Sequence, residues 1–336
     1  MKRKHIGLGG IVPLFVAMAT AGAALDGSFI QLHRGKADRT TEEWRTDFQH
    51  IKALGGDRVI VQWTAEEPVL YFGADTNILR GMTEVYPVLE RIFEAAEAEN
   101  ISVVLGLQHH PEFWDQIKSR DKVIQDFFRI RKARNRQLQL VLLNNFGDRT
   151  SWTGYYLPDE IDDLTWRSPN KKKLIHGYLR AMAGILREND PDRTIAVSSF
   201  FRGRTVPKRM AEDLMDILSD TGIDYLLVQD GVGVGDPPLA YVPLYYEVLA
   251  RTWASESAAG RDLPALWGVL EAFKQTSGPD EPFTAVPAPP ERLREQVEEA
   301  RPFFDRLILF TFEDYLQPDL GHAATAAFES LRAITD

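Results

Sequence analysis

Two stretches of this chain carry carboxylates where chemistry is readily done. In Thr153–Asp162 (TGYYLPDEID) an aromatic run, Tyr155 to Leu157, is followed by Pro158 and then by two adjacent acids, Asp159 and Glu160. In Ala265–Glu271 (ALWGVLE) a second apolar run ends on Glu271. Runs of this composition read as strands, and Pro158 is expected to stop the first of them. A glutamate at each of two strand tips is the raw material for an acid and a nucleophile. Like-charge proximity and partial burial raise one pKa and leave the other low, so one group keeps its proton while the other ionises. Retaining glycoside hydrolysis uses such a pair with carboxyls about 5 to 5.5 Å apart, and an inverting pair stands roughly 6.5 to 9.5 Å apart.

Other elements have to bring Glu160 and Glu271 together. Strand-like runs begin near residues 28, 57, 101, 153, 194, 224, 265 and 307, a mean spacing of about 40 residues that suits strand-helix units. Between them lie stretches with helical spacing of apolar residues. The first opens at Thr41-Glu42-Glu43, carries Trp44, Phe48, Ile51 and Leu54 on one face, and closes at Gly55-Gly56. The second helix is expected over Glu84 to Glu99. Asp121 to Asn144 also admits a strand at Leu138 to Leu143, but an extra strand would break the alternation, so one long helix is expected there.

Eight alternating units with continuously apolar strands predict a closed parallel sheet, an α/β fold of the (β/α)8 TIM barrel class, with its chemistry at the C-terminal strand tips. An open doubly wound sheet would want a Gly-rich phosphate turn after an early strand, and Gly55-Gly56 precedes one instead. The Pro-rich stretch Pro279 to Pro290 reads as a loop over the top of the barrel.

On this count Glu160 ends the fourth strand and Glu271 the seventh. Residues able to bind hydroxyls or the flat face of a sugar cluster at the other strand ends. Gln31 and His33 lie on the first, Gln62 and Trp63 on the second, and Gln108, His109 and His110 on the third. Tyr156 belongs to the fourth, Ser198 and Ser199 to the fifth, Gln229 and Asp230 to the sixth, and Glu313 and Asp314 follow the eighth. Trp152 and Trp166 offer further aromatic faces. Blander readings compete with these. His33 reads as a satisfied core residue, Trp44 and Trp253 as helix packing, and Trp267 as barrel filling. Glu313 is either a third carboxylate in the cleft or a cap. Gly233 and Gly235, after Asp230-Gly231, let backbone approach a ligand closely or simply form a turn.

Bulk composition narrows the possible partners. With 336 residues and 44% hydrophobic composition, the chain can bury one large core or two ordinary ones. A balance of 39 basic against 49 acidic residues, net −10, with no long Lys/Arg run, argues against nucleic acid. The lack of cysteine excludes disulfides, thiolate nucleophiles and thiolate-zinc sites. No cofactor or metal is called for: a metal-dependent deacetylase needs an Asp and two His ligands, and the adjacent His109 and His110 would point apart in extended chain.

At the N-terminus Lys2, Arg3 and Lys4 precede a nearly uncharged stretch from Ile6 to Leu25, with small-residue pairs Ala19/Ala21 and Ala21/Ala23 near its end. This predicts a secretory signal peptide over residues 1 to about 25, an uncleaved anchor being the alternative. Gly7, Gly9, Gly10 and Pro13 leave an apolar core, Leu14 to Ala19, shorter than the roughly 20 residues a spanning helix prefers. The expectation is a single exported domain over residues 26–336, periplasmic or extracellular, with no stable membrane insertion.

An acid/base on strand four and a nucleophile on strand seven resembles the arrangement of the clan A retaining glycoside hydrolases. The stretches GSFIQLH, GYYLPDEID, VQDGVG and FTFEDYLQP are similar, more closely, to a family of bacterial barrel proteins known only as a domain of unknown function and placed near those glycosidases. The likeness spans essentially the whole mature chain. It implies Glu160 as general acid/base, Glu271 as nucleophile and a carbohydrate substrate. One position departs from the clan, which usually has Asn directly before the acid/base, where it binds the sugar 2-hydroxyl. Here that residue is Asp159. It could accept a hydroxyl hydrogen bond while repelling Glu160, could itself be the acid with Glu160 capping the next helix, or could mark a barrel that binds a polysaccharide without cleaving it.

Overall fold

The computed structural model describes residues 25–75, 79–278 and 281–335, so the expected signal peptide lies outside the described residues apart from Leu25. Eight parallel strands close into a barrel: β1 (Gly27–Ile30), β2 (Arg58–Val61), β3 (Ser102–Gly106), β4 (Trp152–Asp162), β5 (Thr194–Phe200), β6 (Tyr225–Gln229), β7 (Ala265–Glu271) and β8 (Arg306–Phe310). β8 pairs with β1 through Ile308 opposite Gly27, which completes the ring. The long helices that follow the strands are α1 (Thr41–Ala53), α2 (Val88–Glu99), α3 (Asp121–Phe146), α4 (Pro169–Asn189), α5 (Pro207–Leu218), α6 (Val242–Ala258), α7 (Pro290–Ala300) and α8 (His322–Thr335). This is the TIM barrel that the alternation predicts. Among the described residues no helix is long and apolar enough to cross a membrane.

The strands read as unbroken apolar runs because both of their faces are buried. Phe29, Ile60, Val104, Tyr156, Ala196, Leu227, Trp267 and Ile308 fill the barrel interior. Residues of the opposite parity, such as Ile30, Val61, Leu105, Leu157 and Leu270, meet the apolar stripes of the helices. Trp44 and Trp253 belong to that outer layer and Trp267 to the interior, each as packing.

Local chemistry sets the helix ends. Thr40 and Glu43 form a capping box before α1, and Ser168 with Pro169 opens α4. The long helix over residues 121–146 is continuous, with Phe127, Phe128, Leu138 and Leu142 buried along it. The second helix starts at Val88, not at Glu84. Pro87 occupies its N-cap, and Glu84–Val85 pairs instead with Val69–Leu70 in a small sheet on the rim. The Pro-rich stretch is not wholly loop either: Ala285–Pro287 pairs antiparallel with Phe273–Gln275, extending β7 beyond the barrel.

Pro158 does not stop β4. The strand runs through it to Asp162, and the register with β5 slips there, Leu157 standing opposite Val197 and Ile161 opposite Ser199. Such an irregularity is where a sheet tolerates proline, which has no N–H to give to the ladder. The consequence falls on the two acids that follow. Asp159 and Glu160 point to opposite faces, Asp159 outward into the helix layer and Glu160 inward.

Asp159 is 1% exposed and is not available to a sugar. Its Oδ1 accepts from Arg131 of α3 at 2.7 Å, and its Oδ2 accepts from the Tyr178 hydroxyl of α4. Arg131, itself fully buried, also donates to the Gln108 carbonyl oxygen at 2.6 Å. The acid therefore ties β4 to two helices and, through Arg131, to the segment that follows β3. Removing one partner of such a pair strands a buried charge, at about 3–5 kcal/mol. Asp159→Asn and Arg131→Met are each expected to lower unfolding free energy by roughly that amount, and the double variant by clearly less than their sum, in urea denaturation. Additive losses would show that the pair does not act as a unit.

Candidate active site

Parity fixes which side chains reach the C-terminal mouth. Glu160 shares its side of β4 with Tyr156, Ser198 shares its side of β5 with Ala196, Gln229 its side of β6 with Leu227, and Glu271 its side of β7 with Trp267 and Val269, all interior residues. Three of them form one hydrogen-bonded group with Glu160. Glu160 Oε1 accepts from Gln229 Nε2 at 2.7 Å and from Ser198 Oγ at 3.2 Å. Ser198 Oγ lies 2.6 Å from the Tyr156 hydroxyl and 3.2 Å from Gln229 Nε2. Burial raises the Glu160 pKa above the ordinary 4.5, and the two side-chain donors pull the other way.

Glu271 is held differently. Its Oε2 accepts from the backbone N–H groups of Gly233 at 2.6 Å and Val234 at 3.3 Å. Behind it Asp230 secures the loop that carries those amides: its Oδ1 accepts from Val232 N at 3.1 Å and Glu271 N at 3.3 Å, and its Oδ2 from Gln296 Nε2 of α7. Arg292, one turn earlier on α7, donates to the carbonyl oxygens of Glu271 at 2.9 Å, Phe273 at 2.6 Å and Val232 at 3.3 Å. Burial, and then the neighbouring Asp230, push the Glu271 pKa well above 4.5 against the pull of the two amides. Asp230 is thus a buried loop clamp, 1% exposed, in place of a hydroxyl ligand. Gly233 brings its backbone close to the carboxylate: a Cβ there would stand 2.7 Å from Glu271 Oε2 and 2.8 Å from the Phe273 ring.

The remaining candidates separate into two groups. Gln62 is inward-facing and 8% exposed, and its Oε1 has no hydrogen-bond partner among the described residues. Half-buried Trp63 donates from Nε1 to the Leu32 carbonyl oxygen at 2.8 Å and stacks on His109, centroids 4.6 Å apart at 27°. Burial first, then Arg131, lower the His109 pKa to about 4, so this ring is neutral at pH 7. Its Nε2 lies 3.6 Å from Glu66. Gln31 lies at the tip of β1, its backbone N–H donating to Glu313 Oε1 at 3.1 Å. These residues surround the mouth.

The others do not line it. Glu313 is 4% exposed, paired with Lys36 at 2.9 Å, and raised by burial to a pKa of about 7. It braces the exit of β1 and is neither a helix cap nor an open cleft carboxylate. His33 is exposed, not core, and its Nδ1 accepts from Gly35 N at 3.1 Å, capping the short turn Arg34–Lys36. Trp166 is 1% exposed and stacked on Phe128 in the helix layer. Trp152 begins β4, at the opposite end of the barrel, under the Arg193 guanidinium. His110 turns away from His109, packing on Phe127 and accepting from Glu112 N at 3.2 Å.

Residue type and strand position do not reveal Arg131, Lys36, Arg292 or Gln296, because their partners are distant in the chain. One signal was present: Arg292 and Gln296 stand four apart on α7, on the face that also carries Leu293 and Val297, and a polar pair on a packed face needs partners.

The barrel is shared with known proteins. A candidate alpha-L-fucosidase of Bacteroides thetaiotaomicron superposes with a TM-score of 0.72 at 18% identity, over 99% of both chains. The endo-1,4-beta-mannanase of Rhizomucor miehei superposes with a TM-score of 0.56 at 11% identity, over 93% of this chain and 94% of its own. At these identities the likeness is one of fold, the TIM barrel. In sequence the chain is 25% identical over 266 residues to the uncharacterized protein YbcH of Escherichia coli (strain K12), 79% of this chain and 82% of that protein. Residues 25–321 match a single family, and the chain belongs to it: DUF4434, a domain of unknown function.

Proposed function

We propose that this barrel is a retaining glycoside hydrolase acting on an oligosaccharide or polysaccharide, with Glu160 as general acid/base and Glu271 as nucleophile. One observation carries the reading. Two inward-facing glutamates stand at the tips of β4 and β7, in cradles of different chemistry: side-chain donors hold Glu160, and main-chain amides hold Glu271. The fold shared with the candidate fucosidase and the mannanase supports it. The basic and then apolar N-terminus supports action outside the cytoplasm.

The reaction runs in two steps. Protonated Glu160 gives its proton to the glycosidic oxygen as that oxygen leaves, while ionised Glu271 bonds to the anomeric carbon. Glu160, now a carboxylate, takes a proton from water, whose oxygen displaces Glu271 and releases the sugar. Two amides on Oε2 orient Glu271 and leave Oε1, which has no partner among the described residues, to attack. The stacked Trp63 and His109 rings offer a flat, uncharged face for a sugar ring beside the mouth.

A second reading, a barrel that binds glycans without cleaving them, has one observation in its favour: burial raises both glutamates, so Glu271 must give up a proton before it can attack. Incubation with exopolysaccharides separates the two, since only the hydrolase generates new reducing ends. Glu271→Gln is expected to abolish turnover while binding persists, and Glu160→Gln to slow cleavage by about 10²–10⁴-fold for unactivated leaving groups. A wild type that binds polymer and leaves it intact supports the second reading.

The pH profile carries a sign. Both carboxyls lie above 4.5, so the rate should rise through a limb alkaline of that value as Glu271 ionises and fall as Glu160 does. Stability runs the other way. Carboxyls raised in the folded state contribute fully below the unfolded value, and that contribution is lost as pH climbs through the folded one. A rate whose acid limb sits at or below 4.5 would contradict the assignment. Gly233→Ala should cut kcat without a matching change in KM, because the added methyl displaces Oε2; equal kinetics would show that the amide clamp is dispensable.

A further inference from the structure

We propose that Ser198 and Tyr156 are positioning residues that make the two oxygens of Glu160 unequal: Oε1 is a permanent acceptor, and the transferable proton resides on Oε2. The proposal deepens the hydrolase reading and rests on it for its catalytic consequence alone.

Counting donors and acceptors leads there. Tyr156 is 0% exposed, and its ring packs edge-on against Phe29 at 5.2 Å. Its hydroxyl proton has one acceptor within reach among the described residues, Ser198 Oγ at 2.6 Å. A buried hydroxyl left without an acceptor is costly, so Tyr156 donates. Ser198 must then aim its own proton elsewhere, and its remaining contact with an acceptor is Glu160 Oε1 at 3.2 Å. Gln229 Nε2 spends its two protons on Glu160 Oε1 at 2.7 Å and on Ser198 Oγ at 3.2 Å. Both lone pairs of Ser198 are filled, by Tyr156 and Gln229, and Oε1 receives two donors.

A proton on Oε1 would have nowhere to go. Gln229 presents N–H there, and Ser198 has no free lone pair. The proton of neutral Glu160 is thereby confined to Oε2, which has no partner among the described residues and is free to meet a glycosidic oxygen. Burial holds the Tyr156 phenol well above its ordinary 10, so the direction of the chain does not reverse at working pH. Tyr156 has no hydrogen bond to Glu160 and acts through Ser198.

The test follows the Glu160 carboxyl itself by carbon-13 NMR in full-length protein labelled at glutamate carboxyls, with the resonance assigned by its loss in Glu160→Gln. Ser198→Ala removes a donor that favours the ionised form, so the carboxyl should titrate higher by roughly one pH unit. Tyr156→Phe should move it in the same direction, because the freed lone pair of Ser198 can now accept a proton from Oε1. Ser198→Thr, which keeps the hydroxyl, should titrate as the wild type does. In turnover, both disruptive variants should lose about tenfold on a glycoside with an alcohol leaving group and little on a dinitrophenyl glycoside, which needs no proton. Their alkaline limb should shift with the titration.

A Tyr156→Phe titration identical to wild type overturns the proposal. So would a Gln229 amide turned with its carbonyl towards Oε1, which would place the proton there and leave Tyr156→Phe silent. Because the titration needs no turnover, a wild type without hydrolytic activity would remove the hydrolase reading and leave this inference standing or falling on the NMR. Should Ser198→Ala fail to fold, the contrast between Tyr156→Phe and Ser198→Thr decides it.

Discussion

A carboxylate taken out of water must find its hydrogen bonds in the protein, and the β7 side of the barrel is arranged to meet that demand for Glu271. The chain of support starts on α7, where Gln296 fixes Asp230 and Arg292 gathers three carbonyl oxygens. Asp230 then holds both the loop after β6 and the amide of Glu271. The loop so held presents the Gly233 and Val234 N–H groups to the glutamate. The site on this side is one end of a connected hydrogen-bond network that reaches back to α7.

The two glutamates differ because their surroundings do. Glu160 meets side-chain donors, an amide and a hydroxyl, both on Oε1, so its other oxygen is left open. Glu271 meets fixed dipoles. A group that gives up one proton and takes one back in each cycle is served by an open oxygen beside a held one, and a group that must stay put during attack by main-chain dipoles. The acid beside Glu160 is removed from this account by the pleat. Asp159 is neutralised by Arg131 on the far side of the sheet, so two acids adjacent in sequence do not become a repelling pair in space.

Much of the fold was legible in order along the chain. Periodicity located all eight strands, and the alternation rightly favoured one long helix over residues 121–146. Proline misled twice, in opposite ways. Pro87 started a helix later than the apolar spacing suggested, and Pro158 was absorbed by a slipped register instead of ending a strand. The site was legible to the extent that parity governs it. Tyr156 and Glu160, or Trp267 and Glu271, are even-spaced and share a face. Whether a polar residue at a strand tip serves a ligand or the scaffold depended on partners more than 60 positions away, as with Asp230 and Gln296 or Gln31 and Glu313. Trp166 looked like a platform, but Phe128 of α3 covers it.

Holding Glu271 through main-chain amides makes its position indifferent to side-chain identity nearby. Val234, half exposed, contributes only its N–H, so many residues could stand there without loosening the grip. The constraint gathers instead at the glycines: at Gly233 the volume a methyl group would need is already taken by the carboxylate it serves, and Gly231 and Gly235 hold φ values of 67° and 77° that disfavour any side chain. Drift in this loop is therefore open at Val234 and closed at the three glycines around it.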